Sequence, residues 1–105
     1  GVQHPLAESW TLLESAYWMC MRAAFLYDAG KPCGAEANAA KFLSARAGFD
    51  ATTKAVMTHG GMGYAKEYQV ERLFRESMLP LIAPVTEQMI LSFIAERVLD
   101  LPKSY

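Results

Sequence analysis

The amino-acid sequence predicts one all-α domain, an up-and-down helical bundle of two long and two shorter helices. Apolar residues recur at spacings of three and four along most of the chain, which is the period of an amphipathic helix. No stretch shows the strict apolar–polar alternation that is typical of a half-buried β-strand. The length of 105 residues suits a single domain, residues 1–105, with a modest core.

The first long helix is predicted over residues 5–29. Pro5 suits the first turn of a helix, and Gly30 followed by Pro32 is a typical C-terminal stop. Two apolar stripes follow this helix, so we expect it to be buried on two sides, within a bundle or against another subunit. The first stripe contains Leu6, Trp10, Leu13, Tyr17, Cys20, Ala24 and Tyr27, and the second contains Leu12, Met19, Ala23 and Leu26.

The second long helix is predicted over residues 35–58. It should end where Gly60, Gly61 and Gly63 make a continued helix unfavourable. Small residues are frequent along it, which favours close packing against a neighbouring helix. They include Ala37, Ala40, Ala45, Gly48 and Ala51.

A shorter third helix is predicted over residues 67–78. Oppositely charged residues four positions apart, Glu71 with Arg75 and Arg72 with Glu76, are expected to pair on its exposed side. Its buried face should consist of Val70, Leu73 and Phe74.

An extended linker bracketed by Pro80 and Pro84 is expected to lead into the last helix, which ends near residue 99. Thr86 is a suitable N-cap for that helix, because a threonine hydroxyl can accept a hydrogen bond from a backbone N–H of the first turn.

The composition excludes several classes of function. Ten Lys and Arg against eleven Asp and Glu give a net charge of −1, so no basic excess is present for nucleic acid. Cys20 and Cys33 are too few for a disulfide framework and have no partner at metal-ligand spacing. We therefore expect no metal site, a cytoplasmic location and a buried, unreactive Cys20. The apolar stretch 15–26 is too short to span a bilayer and contains Arg22, so no membrane contact is expected.

Two short motifs are candidates for ligand contacts. The glycines of His-Gly-Gly-Met-Gly-Tyr at 59–64 leave backbone N–H groups uncovered, so that a phosphate can approach closely. Thr86 and the residues after it present a hydroxyl at a helix N-terminus, which suits the polar groups of a nucleotide. Each motif alone favours a simpler interpretation, a helix stop in the first case and an N-cap in the second. His4 and His59 have no evident partner for catalysis.

The motifs also occur in a distinctive order along the chain. In sequence they are Gly-Val-Gln-His-Pro-Leu-Ala-Glu at 1–8, Ala40-Lys41, the glycine motif at 59–64, Tyr-Gln-Val-Glu-Arg at 68–72 with Arg75-Glu76, and Thr86-Glu87-Gln88. This order, with its spacings, resembles the acyl-CoA dehydrogenases over nearly the whole chain. The resemblance implies the C-terminal helical domain of that family without its first helix. The start at Gly1, without an initiator Met, suggests a piece of a longer protein.

The resemblance implies FAD as the cofactor and an acyl-CoA as the substrate. The reaction it implies gives a trans-2-enoyl-CoA and reduced flavin, which passes electrons to an electron-transfer flavoprotein or a similar acceptor. In that family the Gly-Gly turn approaches the ADP part of an FAD held mainly by a neighbouring subunit. Gly60 and Gly61 are therefore expected to contact the cofactor within a homo-oligomer, a dimer or tetramer. Thr86 and Gln88 match the family's Thr and Gln that contact flavin.

Two positions depart from the family's pattern. Met57 stands where a Gln is usual, so a polar contact to FAD is lost. Pro84 stands where many members carry the Glu that removes the substrate's α-proton, and proline cannot act as a base. Some branches place this carboxylate on an earlier helix, so no catalytic residue is expected within the chain.

Two alternatives remain open. Pro84 is compatible with a diverged flavoprotein of the same fold that no longer catalyses dehydrogenation. The missing base and the two apolar faces of the first helix are compatible with a non-enzymatic helical oligomerisation domain. Bound flavin would separate this last alternative from the other two.

Overall fold

The computed structural model describes residues 1–104, which contain helices and turns and no β-strand, so the all-α prediction is confirmed. The two long helices are α1, Gln3–Asp28, and α2, Gly34–His59. The α-helices that follow are α3 at Val70–Ser77, α4 at Leu79–Ile82 and α5 at Glu87–Phe93. Short 3₁₀ turns occupy Gly60–Tyr64 and Lys66–Tyr68, and α5 continues into a π-helical turn at Ile94–Val98.

α1 and α2 form an antiparallel pair, which shapes the domain. Lys54 Nζ lies 3.0 Å from Glu8 Oε2 near one end of the pair, and Arg22 Nη2 lies 3.9 Å from Glu36 Oε2 near the other. Small side chains let the two backbones approach closely, as the sequence predicts. The buried alanines are Ala16, Ala40, Ala45 and Ala47.

The second apolar stripe of α1 is the one that mainly packs against α2, although Leu12 on it is 41% exposed. Met19, Ala23 and Leu26 on that stripe are partly buried. The first stripe is open, with Trp10 65% and Tyr27 74% exposed. Burial on two sides is therefore not reached within residues 1–104, because no other element there covers the first stripe. We call this stripe the outer α1 face; it comprises Leu6, Trp10, Leu13, Tyr17, Cys20, Ala24 and Tyr27.

Cys20 belongs to the outer α1 face, and the prediction that it is buried is wrong for this chain. Its thiol is exposed, and its Sγ lies 3.4 Å from Ser44 Oγ at the margin of the contact with α2.

α3 packs against the second half of α2. The Phe49 and Phe74 rings have centroids 5.5 Å apart, and the hydroxyls of Thr52 and Ser77 lie 2.7 Å apart. Leu73 is 44% exposed, so its predicted burial is wrong; Phe74, one residue on, is turned toward α2 instead.

The charged side of α3 is as predicted. Arg75 Nε lies 2.8 Å from Glu71 Oε2, and Arg72 Nη1 lies 3.1 Å from Glu76 Oε2. The helix begins later than expected, at Val70, because Gln69 has a φ of +66° that separates it from the preceding 3₁₀ turn.

The predicted extended linker is wrong in its first half. Pro80 lies in the first turn of α4, where its missing N–H leaves no hydrogen bond unmade. Ala83 and Thr86 have extended backbone, with ψ values of 152° and 157°, and the chain bends at residues 83–85. We call residues 83–86 the linker segment. Beyond it, α5 is anchored by Ile90, which is 2% exposed.

Candidate functional site

The glycine turn that follows α2, Gly60–Tyr64, contains glycines with different structural roles. Gly60 caps the helix with a φ of +63°, and its N–H bonds to the Met57 carbonyl. A side chain at that φ would be strained, so the helix-stop interpretation accounts for this glycine. Gly63 is buried, and a Cβ there would collide with the Val56 backbone, 3.1 Å from its Cα.

Gly61 has neither of these roles: it does not cap the helix and it does not pack against the backbone of another residue. It is exposed, its φ lies outside the left-handed region, and a Cβ built on it meets no atom within 4 Å. Within the described residues nothing requires glycine at this position, whereas a ligand that approaches the backbone closely would. The sequence does not distinguish Gly61 from Gly60, and the packing role of Gly63 becomes apparent only when the Val56 backbone is in place.

His59 is the last residue of α2 and has a local role. Its Nδ1 lies 2.8 Å from the Ala55 carbonyl oxygen, and because a carbonyl only accepts, Nδ1 carries the hydrogen. The ring also lies near Tyr68, with centroids 6.1 Å apart.

Thr86 caps α5 as predicted. Its Oγ1 accepts a hydrogen bond of 3.3 Å from the Met89 backbone N–H, and its own backbone is extended, with a ψ of 157°. A hydroxyl that accepts one hydrogen bond still has its own hydrogen to donate. Gln88, two residues on, is exposed in the first turn of the helix, so its amide is free to reach a ligand.

Glu87 lies between Thr86 and Gln88 and is paired across to α2. Arg46 Nε donates to Glu87 Oε1 at 2.7 Å, and Nη2 donates to Oε2 at 3.3 Å. The hydrogen bond from Arg46, with its charge, lowers the pKa of the Glu87 carboxyl below its usual value. A carboxylate paired with an arginine is a weaker base than a free one, so this pair makes Glu87 poorly suited to proton abstraction.

An open groove of about 660 Å³ lies beside this ion pair, between α1 and α2. Arg46 and Glu87 stand on its wall with Asp50, and the remaining lining is mostly apolar. The apolar residues that line it include Leu12, Phe42, Leu43, Phe49 and Leu81.

The two candidate motifs are not brought together. Thr86 and Gln88 lie beside the middle of α2 through the Glu87–Arg46 pair, whereas Gly60 and Gly61 lie at its end. At about 1.5 Å per residue, some 14 positions of helix separate the two regions by about 20 Å. Within residues 1–104 they are therefore two separate regions of the surface.

Residues 1–99 match the family model described as "Acyl-CoA dehydrogenase, C-terminal domain". The chain belongs to the acyl-CoA dehydrogenase family. The family resemblance inferred from the order of motifs is thereby confirmed, as is the all-α domain that it implies. Within residues 1–104 no single helix is long and apolar enough to cross a membrane; one bent pair, Val70–Ile82 with Glu87–Val98, reaches that standard only in combination.

Several curated relatives resemble the chain across most of its length. Acyl-CoA dehydrogenase FadE12 of Mycobacterium tuberculosis is 42% identical over 107 aligned residues, covering 100% of this chain and 28% of its own length. The short/branched chain specific mitochondrial enzyme of Rattus norvegicus is 36% identical, covering 93% of this chain and 23% of its own length. Cyclohexane-1-carbonyl-CoA dehydrogenase of Geobacter metallireducens is 37% identical, covering 93% of this chain and 26% of its own length. The chain thus spans about a quarter of the length of these acyl-CoA dehydrogenases.

The residues carried over from the family have the chemistry that FAD requires. Gly61 leaves its backbone open to close approach, Thr86 keeps a hydroxyl hydrogen to donate, and Gln88 has an exposed amide. Met57 is 75% exposed beside the glycine turn, where its thioether is at most a weak acceptor. The open backbone at Gly61, the Thr86 hydroxyl and the Gln88 amide thus fit the polar groups of a nucleotide cofactor, whereas Met57 has no hydrogen to donate.

Proposed function

We propose that the complete protein is an FAD-dependent acyl-CoA dehydrogenase that oxidises an acyl-CoA to a trans-2-enoyl-CoA. The observation that carries this proposal is the family match across residues 1–99. The bound FAD would supply the oxidation by accepting a hydride from the substrate. The residues of this chain hold and orient the cofactor at two separate points.

The first contact point is the glycine turn. Gly60 ends α2 and thereby sets the direction of the turn, and Gly61 keeps the backbone open on the solvent side. A side chain at Gly61 would hold a ligand away from the backbone, so we propose that this glycine is required by the ADP part of FAD. In this proposal the cofactor belongs mainly to a neighbouring subunit.

The second contact point is the start of α5. The Thr86 hydroxyl is fixed by its bond from the Met89 N–H, so its hydrogen is directed away from the helix and can be donated to flavin. Gln88 adds an exposed amide in the first turn of the helix, with both donor and acceptor atoms. Orientation of the flavin is the role we assign to these two residues.

The base that removes the α-proton is proposed to lie outside residues 1–105. Pro84 has no titratable group, and the only carboxylate in the first turn of α5, Glu87, is paired with Arg46. This chain therefore contributes cofactor contacts and subunit surface, and its residues move no proton in the reaction. An electron-transfer flavoprotein or a similar acceptor is the proposed oxidant of the reduced enzyme.

The outer α1 face supports the proposal of a homo-oligomer. Leu6 is 62% exposed and Trp10 65% exposed, on a single stripe that runs the length of a helix of 26 residues. A large contiguous apolar surface is seldom left open to solvent, and it usually marks a site where another protein surface binds. We propose that this face is covered in the assembled enzyme.

A diverged flavoprotein without dehydrogenase activity is the second candidate, and Pro84 is the observation that favours it. The two candidates differ in one experiment. The complete protein is purified, its flavin absorbance is recorded, and acyl-CoAs of differing chain length and branching are added without oxygen. Bleaching by one class supports the dehydrogenase, and bound flavin that none of them bleaches supports the diverged flavoprotein.

A further inference from the structure

We propose that Arg46 and Lys41 of α2 are positioning residues, which fix the linker segment so that Thr86 meets the cofactor in one orientation. The inference rests on the proposed function, because it assumes that Thr86 contacts flavin. It adds two side chains that do not themselves touch the cofactor. Their role is to attach α4 and α5, which flank the linker segment, to the single helix α2. We call each of these two attachments a tie.

The first tie is the pair of hydrogen bonds between Arg46 and Glu87. Both carboxylate oxygens are engaged, at 2.7 and 3.3 Å, which fixes the direction of the Glu87 side chain as well as its distance from α2. Glu87 directly follows Thr86. Any displacement of the Thr86 backbone must therefore break or distort this pair of hydrogen bonds between Arg46 and Glu87.

Arg46 is itself held in place before it meets Glu87. Its guanidinium carbon lies 4.6 Å from the centroid of the Phe42 ring, one turn earlier on the same helix. A guanidinium stacked on an aromatic face has fewer accessible conformations. Less conformational freedom is therefore lost when Arg46 forms its two hydrogen bonds to Glu87. Phe42 thus serves as the support of the first tie.

The second tie lies in α4, just before the linker segment. Lys41 Nζ donates to the carbonyl oxygen of Pro80, in the short helix that precedes Ala83. Lys41 and Arg46 are five residues apart on α2, which is about 7.5 Å along the helix axis. Two cations at a fixed separation thereby set the span of the segment between α4 and α5.

The ties act on position more than on stability. The Arg46 side chain is 59% exposed, and exposed ion pairs contribute little to the free energy of folding. Loss of Arg46 should therefore leave the melting temperature nearly unchanged while Thr86 loses its fixed place. A surface pair without a positioning role would affect neither property.

The test uses the complete protein with four substitutions: Arg46→Ala, Arg46→Lys, Glu87→Gln and the control Arg22→Ala. Arg22 pairs with Glu36, ten positions before Arg46 on α2, so its loss removes an arginine that contacts neither Glu87 nor Pro80. Two properties are measured: the FAD affinity of the protein, and amide hydrogen exchange of residues 85–90 in the flavin-free form.

We expect Arg46→Ala and Glu87→Gln to lower FAD affinity by about tenfold, the lower end of what the loss of a supporting group costs at a ligand site. Exchange at residues 85–90 should become faster, Arg46→Lys should give intermediate values, and Arg22→Ala should behave as the wild type.

The outcomes separate this inference from the function on which it rests. Thr86→Ala is measured in parallel. If it weakens FAD binding while Arg46→Ala and Glu87→Gln leave both affinity and exchange unchanged, the positioning role is wrong and the flavin contact stands. If Thr86→Ala also leaves FAD affinity unchanged, both assignments are overturned.

Discussion

The guanidinium of Arg46 and the carboxylate of Glu87 join the middle of α2 to the first residue of α5, with Nε 2.7 Å from Oε1. The two residues are 41 positions apart in the sequence. Their contact places Thr86 and Gln88 beside the rigid antiparallel pair of helices. It also engages the Glu87 carboxylate, the acidic group in the first turn of α5, in an ion pair.

The same ion pair predicts a pH-dependent contribution to stability. Arg46 lowers the pKa of Glu87 in the folded protein, whereas the unfolded chain keeps the usual value of 4.5. The stabilising contribution is therefore present above pH 4.5 and is lost as the pH falls through the lower folded value.

The measurement compares the melting temperature of the complete protein with that of Glu87→Gln across a pH series. We expect the wild type to be slightly more stable at neutral pH, and the difference to shrink below pH 4.5. A difference that is the same at every pH would show that the charge of Glu87 is not its source.

Gly61→Ala should separate cofactor binding from folding. A Cβ at Gly61 meets no atom within 4 Å, so the change in folding free energy should stay within about 0.5 kcal/mol. FAD retention should nevertheless fall, because the methyl group stands where the cofactor approaches. Flavin absorbance per protein and the melting temperature are the two measurements.

Gly63→Ala is the matched comparison on the same turn. Its Cβ would collide with the Val56 backbone, and we expect a destabilisation of about 1–3 kcal/mol, as in other overpacked sites. If Gly61→Ala melted as early as Gly63→Ala, or kept its full flavin content, the role given to Gly61 would be wrong.

Substitutions of Thr86 can separate its capping bond from its contact with flavin. Thr86→Ala removes both, and loss of the cap should cost about 1 kcal/mol. Thr86→Ser keeps the hydroxyl and should preserve stability and flavin content. Thr86→Asp can still accept the Met89 N–H but has no hydrogen to donate at neutral pH.

We therefore expect Thr86→Asp to fold like the wild type and to lose flavin like Thr86→Ala. Thermal melting and flavin absorbance of the four proteins give the comparison. Full flavin content in Thr86→Asp would mean that donation by the hydroxyl is not required.

The outer α1 face should govern assembly. Tyr17 is 51% exposed on this face, and a Tyr17→Glu substitution would place a charge in the proposed subunit contact. We expect size-exclusion chromatography with light scattering to show a smaller particle than the wild type. Thr11→Glu, which adds the same charge on an exposed position of α1 outside that stripe, is the control. Equal masses for Tyr17→Glu and the wild type would remove this face from the interface.

Ile90 carries much of the attachment of α5 to the domain. It is 2% exposed, so Ile90→Ala should cost about 2–5 kcal/mol and Ile90→Val about 0.5–1.5 kcal/mol. Chemical denaturation of the complete protein measures both. Near-equal stability of the two variants would indicate that the cavity collapses, and that α5 is held elsewhere.

The long helices could be predicted from sequence almost to the residue because their ends are set locally. Gly30 and Gly60 stop α1 and α2 through their own backbone preferences. Thr86 likewise starts α5 through a hydrogen bond to a residue three positions on. Such features depend only on residues close by in the chain, so they can be recognised in the sequence.

Contacts between distant elements could not be predicted in the same way. Both stripes of α1 have the period of a buried face, and only the position of α2 determines which one packs. The 3₁₀ turn that delays α3 depends on Gln69 adopting a left-handed conformation, for which no glycine gives a signal. The Arg46–Glu87 pair has no sequence signature, since its members lie on different helices.

One titration decides whether the complete protein is an FAD-dependent acyl-CoA dehydrogenase. The complete protein is purified, its flavin spectrum is recorded, and a panel of acyl-CoAs is added under anaerobic conditions. We expect bound FAD whose absorbance is bleached by at least one class of acyl-CoA, with the matching trans-2-enoyl-CoA as product. Protein without flavin, or flavin that no acyl-CoA bleaches, would contradict this expectation.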